Sequence, residues 1–377
     1  MSLTLSHQSA LDVIRKLRSD GVNLNDADVV ALARPSSWAG ARWSAHNFDP
    51  EVWRWPRPSK DSPLHVLVPA GTGSVRSSVM RSHVAWYGMP RGSIVWLDDH
   101  SSVVSPELLF LQMASVFTFP MVVLLGYELC GHFSRSADNP LLGNVTDGLP
   151  AVTSVGKIGK YLGSIKRAKG VAKARRALRF VCDHAISAPE SVLATIYSLP
   201  TTESGYGMGP LSLNASVNVS DDVDWVTSKT RFPDLMFCFA PVGINYDGED
   251  HLDLSGLVAA VRAAERADGE SYEDARRALS EGLSEVRAKA IDDNMRNRQL
   301  LAQGKIVLPA TKEDLYGKGH LDYLTRQLLD CARVFFGADV RAYETTLNNT
   351  EMARDRQELL DSMLPGGCRG GISHGLM

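Results

Sequence analysis

Four polar side chains close together in the sequence have the types and spacing of a metal-dependent hydrolytic site. Asp234 follows Pro233, and Asn245, Asp247 and His251 come a short step later. Because side chains alternate along a strand, Asn245 and Asp247 are predicted to share one face, where Asp234 would meet Asp247 from a neighbouring strand. Two converging carboxylates beside a histidine form a site for a hard cation, which can activate water and neutralise charge on a phosphodiester.

Length and composition limit the kind of protein that carries these residues. A chain of 377 residues is too long for one ordinary core, so we expect two domains and a tail. Hydrophobic residues make up 44% and charged residues 22%, which is typical of a folded globular protein. The net charge of -3 argues against a uniformly basic nucleic-acid coat. Any contact with DNA must therefore come from local basic patches.

Cysteine usage and the first residues of the chain bear on the compartment. The cysteines are odd in number, far apart and without a Cys-x-x-Cys pair, which favours a reducing environment. Residues Met1 to Leu11 lack the basic start and apolar run of a secretory signal. We therefore expect a cytoplasmic protein.

One uncharged segment, from Leu108 to Tyr127, is long enough to cross a bilayer. Polar residues and Pro120 interrupt it, and Glu107 and Glu128 flank it where a membrane span would have Lys or Arg anchors. We therefore predict two buried helices that meet near Pro120, and no membrane partner.

The first part of the chain has the patterns of a small mixed α/β domain, assigned to residues 1–150. Ser9–Arg18 has the apolar spacing of an amphipathic helix, and His65–Pro69 and Ser93–Leu97 are predicted strands. Arg34–Asp61 is rich in Trp, Pro and Ser and is expected to be irregular. Gly71–Ser74 is expected to be a turn, because no Gly-Lys-Ser/Thr sequence follows to make a phosphate loop.

A strongly basic run from Lys157 to Arg179 lies in a segment assigned to a helical connector, residues 151–186. Helical spacing spreads its charges around much of the helix, so a solvated connector and a phosphate-binding surface are equally consistent with it. The candidate nucleic-acid-binding residues in this run are Lys166, Arg167, Lys173, Arg175 and Arg176.

The next part of the chain, residues 187–345, alternates predicted helices and strands and indicates a mixed sheet flanked by helices. A helix is predicted to open at Ser187–Glu190. The elements that follow are strands at Leu211–Val219, Leu235–Phe239 and Val242–Tyr246, a helix at Tyr272–Gln303 ended by Gly304, a strand at Lys305–Pro309 and a helix at Leu321–Phe336. Residues 346–377 are assigned to a C-terminal helix and a Gly-rich tail expected to be disordered.

The polar residues of this second half resemble a known superfamily. Their order resembles the PD-(D/E)XK superfamily, and within it the very-short-patch-repair-like endonucleases, which show Glu-x-Asp-Gly followed by His. The resemblance covers about Ser187–Phe336 and implies a restriction-endonuclease-like fold for the C-terminal domain. The N-terminal half, with Ser105–Glu107 and Gly126–Gly131, is similar to leader regions of actinobacterial proteins that carry such a domain. The residues that carry the superfamily resemblance are Glu190, Asp234, Asn245, Asp247, Gly248, His251, Asp293 and Arg296.

The resemblance implies a role for each residue. Asp234 would be the main metal ligand, Asp247 a second acid, and Glu190 an acid that reaches in from the first helix. His251 would act on a water or a phosphate. These four are the expected catalytic residues, and Mg²⁺ is the expected ion because carboxylates and water supply oxygen ligands.

The resemblance also implies a phosphate contact, and the sequence departs from the family pattern at one position. Arg296 would face a phosphate oxygen, with Asp293 on the same helix face to orient it. Asn245 stands where the family pattern has Glu, and its amide offers a neutral oxygen in place of a carboxylate. Metal affinity is expected to be lower for that reason. An ordinary interpretation also stays open, in which Asp247-Gly248 marks a hairpin and Asp293 and Arg296 are a helix ion pair.

The leading prediction is a metal-dependent DNA endonuclease that hydrolyses phosphodiesters in defence or repair. The alternative is a catalytically degenerate protein of the same fold, which binds DNA or acts as an antitoxin-like regulator. A protein-interaction module with a protein partner bound at Leu108–Leu129 is the third interpretation. No dinucleotide fingerprint, zinc-ligand spacing or nucleophile elbow occurs, so no nucleotide cofactor is expected.

Overall fold

A computed structural model describes residues 3–22, 24, 58–68, 77–86, 88–97, 101–137, 144–219, 230–248, 261–262 and 270–364. The chain folds into two compact units. The first comprises residues 1–195 and 362–377, and the second comprises residues 196–361. The predicted basic connector belongs to the first unit.

A mixed five-stranded sheet organises the first unit. Its strands are β1 (Leu3–Leu5), β2 (Leu64–Val68), β3 (Met80–Val84), β4 (Ile94–Trp96) and β5 (Ser101–Val104), in the spatial order β3-β2-β1-β5-β4. β2 runs parallel to β3 and antiparallel to β1. The sheet is followed by a two-stranded ribbon of β6 (Ser134–Arg135) and β7 (Val145–Thr146). The two strands predicted in this part of the chain are confirmed.

Five helices in the described part of the first unit pack together, and the first of them also packs against the sheet. They are α1 (His7–Ser19), α2 (Pro106–Ala114), α3 (Phe119–Cys130), α4 (Val155–Ser164) and α5 (Val171–Leu178). The prediction of two buried helices near Pro120 is confirmed, because α2 and α3 are buried along nearly their whole lengths. Pro106 and Pro120 stand in their first turns, where an N–H has no helical partner to lose. Among the described helices, none combines the length and the apolar character needed to cross a membrane.

A buried charge cluster joins α1 and α3. Glu128 is 2% exposed, and both of its oxygens accept from the Arg15 guanidinium, at 2.8 and 2.7 Å. The Arg135 backbone N–H donates to the same carboxylate at 3.1 Å. Arg18 donates to the backbone oxygens of Glu128 and Gly131, both at 3.0 Å. We call this group of Arg15, Arg18, Glu128 and Arg135 the arginine-rich cluster.

The second unit is built on a four-stranded mixed sheet. Its strands are β8 (Leu211–Leu213), β11 (Leu235–Phe237), β12 (Val242–Asp247) and β13 (Ile306–Thr311), in the order β13-β12-β11-β8. β11 runs antiparallel to both β8 and β12, and β13 runs parallel to β12. A separate ribbon pairs β9 (Val217–Asn218) with β10 (Thr230–Arg231). The strand candidates at 235–239, 242–246 and 305–309 are confirmed.

The strand predicted at Leu211–Val219 is wrong as a single element. It is divided into β8 and β9, which belong to different sheets. Asn214 lies between them with a φ of 48°, in the left-handed region that asparagine tolerates better than most residues. The alternation of apolar and polar residues is continuous through this turn, so the pattern gave no sign of the break.

The helices of the second half follow the predicted order. α6 (Ala188–Ser198) begins in the first unit and ends in the second, and α7 (Glu270–Ala302) is the predicted long helix. Gly304, with a φ of 68°, follows its last turn as a helix-ending glycine would. The remaining helices are α8 (Lys312–Tyr316), α9 (His320–Phe336), α10 (Arg341–Leu347) and α11 (Thr350–Met363).

The predicted α/β class is confirmed, with mixed sheets and helices in both halves. Three expectations concern residues that are not described. Arg34–Asp61 lies almost wholly outside the described residues. Gly71–Ser74 and the tail at Pro365–Gly371 lie entirely outside them.

Candidate functional site

The β11–β12 pairing brings two of the predicted site residues together. Leu235 is paired with Ile244, which places Asp234 beside Asn245 at one end of the pair. The Asp234 backbone N–H donates to Asn245 Oδ1 at 3.0 Å, and the Tyr246 backbone N–H donates to Asp234 Oδ2 at 2.6 Å. A side chain at Gly243 would collide with the Leu235 carbonyl oxygen, so glycine there permits the close approach of the two strands. The Asp234 carboxylate is therefore held by backbone geometry.

Asn245 is buried, with 2% of its surface exposed. Its carbonyl oxygen is occupied by the Asp234 N–H, while its Nδ2 has no hydrogen-bond partner among the residues that the structure describes. An unpartnered buried donor costs free energy, typically about 1–3 kcal/mol. A buried amide nitrogen without a partner calls for an explanation, and a bound water or ligand is one.

Arg296 on α7 links the strands to the helix. Its Nη2 lies 3.0 Å from Asp293 Oδ1, one helical turn earlier, and 3.6 Å from Asp247 Oδ1 at the end of β12. Its side chain is 20% exposed, and its Nε has no partner within the described parts of the chain. The predicted pairing of Asp293 with Arg296 is confirmed, and Asp247 joins the pair.

The electrostatic balance of this group is negative. Burial raises the pKa of Asp234, the Tyr246 N–H and the Arg296 guanidinium lower it, and the nearby Asp247 carboxylate raises it, which together bring it to about 6. Three carboxylates therefore share one guanidinium. We call Asp234, Asp247, Asp293 and Arg296 the acidic cluster.

The acidic cluster lies at one end of two parallel strands. Asp247 is in register with Thr311, the last residue of β13. Thr311 starts α8, and its N–H donates to Asp314 at 2.8 Å in a capping box. Carboxyl ends of parallel strands are the edge of an α/β sheet where ligands usually bind.

Two predicted catalytic residues are not part of this geometry. Glu190 belongs to the first unit, where it accepts from the Ile186 N–H at 3.0 Å and from the Ser187 hydroxyl at 3.2 Å. These contacts are those of an N-terminal cap, which stabilises the start of α6. His251 lies outside the described residues.

The residues of the basic segment differ in the contacts that they make. Lys166 and Arg167 are exposed between α4 and α5. Lys173 donates to the Phe117 carbonyl at 2.6 Å, and Arg175 donates to the Leu162 carbonyl at 2.7 Å. The Arg176 guanidinium lies 3.9 Å from the centre of the Phe119 ring. The last three contacts help to pack the first unit, although Arg175 and Arg176 are exposed as well. Lys166 and Arg167 are the exposed candidates for phosphate that these contacts do not use.

The sequence patterns did not identify one further group in the first unit. His7, His65 and His83 each bring a ring nitrogen to within 4.8 Å of the others. Strand pairing assembles them from distant positions, and their spacing in the sequence matches no ligand motif. The only available signal was that His65 lies within a predicted strand.

Comparison with known proteins provides no relative. No protein-family model, curated protein or solved structure matches the chain. Functional inference therefore depends on the geometry described above.

Proposed function

We propose that the second unit is a nuclease-type domain, in which Asp234 and Asp247 hold a divalent cation for the hydrolysis of a phosphodiester in DNA. The excess of carboxylates over guanidinium in the acidic cluster is the observation that carries this proposal. A buried carboxylate whose pKa is raised to about 6 gains most when a cation binds beside it. The order of the helix α6, the sheet strands β8, β11 and β12, the long helix α7 and the sheet strand β13 also supports a restriction-endonuclease-like domain.

The donor set fits Mg²⁺. Asp234 and Asp247 offer carboxylate oxygens on neighbouring strands, and hard cations prefer oxygen ligands. When bound, Mg²⁺ supplies Lewis acidity and lowers the pKa of water. The amide oxygen of Asn245 already accepts the Asp234 N–H, so we assign it to orienting the aspartate.

The remaining groups would bind and orient the nucleic acid. Arg296 has a planar fork suited to a phosphate oxygen, and its Nε is not used by the described residues. Asp293 holds the guanidinium in place at 3.0 Å.

A second candidate, a degenerate DNA-binding or regulatory protein, is favoured by Asn245 and Arg296. An amide replaces the family carboxylate, and a guanidinium already neutralises Asp247 and Asp293 in part. A domain with that balance would bind phosphate through Arg296 without cutting the strand. The endonuclease and the regulator differ in one measurable property, metal-dependent cleavage.

Plasmid nicking by the full chain tests the proposal, in Mg²⁺, in Mn²⁺ and in EDTA. We expect metal-dependent nicking that falls at least about 100-fold in Asp247→Asn, since a ligand is lost while side-chain volume is kept. Asp274→Asn is the matched control, because Asp274 is an exposed acid on the same helix as Arg296.

Asn245→Asp separates the two candidates. It is nearly isosteric, keeps an acceptor for the Asp234 N–H, and replaces the unpartnered Nδ2 with an oxygen. A wild type without nicking and an active Asn245→Asp variant would identify a degenerate nuclease. Equal nicking by wild type and Asp247→Asn would contradict both assignments of the acidic cluster.

A further inference from the structure

Three histidines of the first unit converge on one point. His65 Nδ1 and His83 Nε2 lie 3.0 Å apart, and the rings of His7 and His83 stack with centroids 3.6 Å apart. One nitrogen from each ring lies within 4.8 Å of the other two. All three histidines are half-buried.

The backbone of the sheet fixes this convergence. β2 and β3 are parallel, with Leu67 in register with His83. Residues in register share a face, and so do residues two apart on one strand, so His65 and His83 lie on the same face. His7 is brought beside them because the Ser6 N–H donates to the His65 carbonyl at 3.0 Å.

His7 is held in an unusual conformation. Its φ is 49°, in the left-handed region that is uncommon for residues other than glycine, although histidine is one of the types found there more often. Its backbone N–H donates to Gln112 Oε1 at 2.9 Å, which holds the residue in place. Backbone strain of this kind costs about 1–3 kcal/mol and occurs preferentially at ligand-binding sites.

We propose that His7, His65 and His83 form a site for a transition-metal ion of the Zn²⁺ class, with a fourth position open to water or an anion. Neutral imidazoles are borderline ligands that suit Zn²⁺ and not Mg²⁺. Three protein ligands with one open position are the arrangement of a reactive zinc site, whereas structural sites are closed by four. This site is separate from the acidic cluster and does not depend on the proposed nuclease activity.

The rings are close to the separation that such an ion requires. Zn–N distances of about 2.0–2.1 Å place the nitrogens of a tetrahedral site about 3.3–3.4 Å apart. His65 and His83 are already within that separation, at 3.0 Å. His7 brings a ring nitrogen to within 4.8 Å of the other two, and its ring must turn away from its stacked position on His83 for that nitrogen to complete the set.

The neighbouring charges indicate the kind of fourth ligand. Burial and then the charges of the neighbouring histidines lower the pKa of His7 to about 3 and of His83 to about 4. Arg81 and Lys169 lie close enough to contribute to these shifts. Their positive charge favours an anion, such as hydroxide or a phosphate oxygen, in the open position.

Metal titration of the full chain tests the proposal. After removal of metals by chelation, Zn²⁺ binding is measured by calorimetry and Co²⁺ binding by visible absorption. We expect about one tight equivalent in the wild type, weakened at least about 10-fold in His65→Gln and His83→Gln. His132→Gln is the matched control, because His132 is also half-buried and stacks on another histidine, His184.

Two further measurements keep the result decisive. Asp247→Asn should retain the tight equivalent, which separates this site from the acidic cluster. Circular dichroism identifies any variant that fails to fold. Absence of stoichiometric Zn²⁺ and Co²⁺ binding in the folded wild type would overturn the proposal without any variant. Equal binding by folded His65→Gln, His83→Gln and wild type would overturn it as well.

Discussion

The arginine-rich cluster and the acidic cluster are built from the same two kinds of side chain in opposite proportions. In the first unit, Arg15, Arg18 and Arg135 surround the single carboxylate of Glu128. In the second unit, three aspartates share the single guanidinium of Arg296. The arginine-rich cluster therefore has surplus positive charge, and the acidic cluster has surplus negative charge.

The two carboxylates respond to burial in opposite ways. Burial alone would raise the pKa of Glu128, but the charge and hydrogen bonds of Arg15, with the charges of Arg135 and Arg18, lower it below its ordinary value. Burial of Asp234 is not compensated in that way, and its pKa rises to about 6. The difference separates an acid that stabilises the fold from an acid that would gain from a bound cation.

The largest effect is expected for Glu128→Gln. Removal of one partner from a buried ion pair leaves the others uncompensated, and the cost is typically about 3–5 kcal/mol. We expect the free energy of unfolding to fall by that amount at pH 7, measured by denaturant titration. Glu273→Gln is the control, because Glu273 is 64% exposed and should change stability by less than about 0.5 kcal/mol.

The pH dependence of the stability that Glu128 contributes follows from the direction of its pKa shift. A lowered folded-state pKa contributes stability above the ordinary value of 4.5, and that contribution is lost as pH falls through the lower folded value. The difference between Glu128→Gln and the wild type should therefore narrow in acid. A constant difference between pH 7 and pH 3 would contradict the ion-pair explanation.

Asp234→Asn should have the opposite effect on stability. The folded-state pKa of about 6 exceeds the ordinary value of 3.8, so the aspartate destabilises the fold increasingly as pH rises between those values. In EDTA at pH 8 we expect the variant to be more stable by about 1–3 kcal/mol, with no difference below about pH 4. The amide oxygen still accepts the Tyr246 N–H.

Addition of Mg²⁺ provides the control for the prediction about Asp234→Asn. If Asp234 helps to hold the ion, then Mg²⁺ should stabilise the wild type and not Asp234→Asn, which narrows the difference in thermal unfolding. A variant less stable than the wild type in EDTA would show that the acidic cluster is structural, like its counterpart in the first unit.

The smallest effect is expected for Lys166→Gln and Arg167→Gln. Without a metal, the carboxylates of the acidic cluster oppose phosphate binding by Arg296, so we expect exposed positive charge elsewhere to contribute to DNA binding in EDTA. We expect each variant to reduce the slope of log affinity against log salt by about 0.9, measured by fluorescence anisotropy. Lys318→Gln, another exposed lysine, should leave the slope unchanged.

Local patterns were sufficient for most elements and for part of the acidic cluster. Gly304 correctly predicted the end of α7. Alternation predicted that Asp234 would meet Asp247 across neighbouring strands, whereas Asp234 immediately precedes β11 and its backbone N–H donates to Asn245. Alternation failed at Asn214, because a single left-handed residue changes the path of the chain without changing the pattern.

Local sequence patterns could not predict side-chain contacts that depend on tertiary packing. Lys173 and Arg175 have the same composition signal as Lys166 and Arg167, yet the first two donate to backbone carbonyls. The histidine cluster depends on pairing between strands that the sequence separates, so no spacing rule could have found it. Contacts between residues distant in sequence account for both failures.

The two edges of the second unit's sheet have a consequence for self-association. Among the described strands, β8 forms one edge with only three residues, and β13 forms the other with Pro309 in its middle. A proline has no N–H to donate, and a three-residue strand offers few groups to pair. Both edges are therefore poor templates for a strand of another molecule, and this protects the sheet from edge-to-edge aggregation.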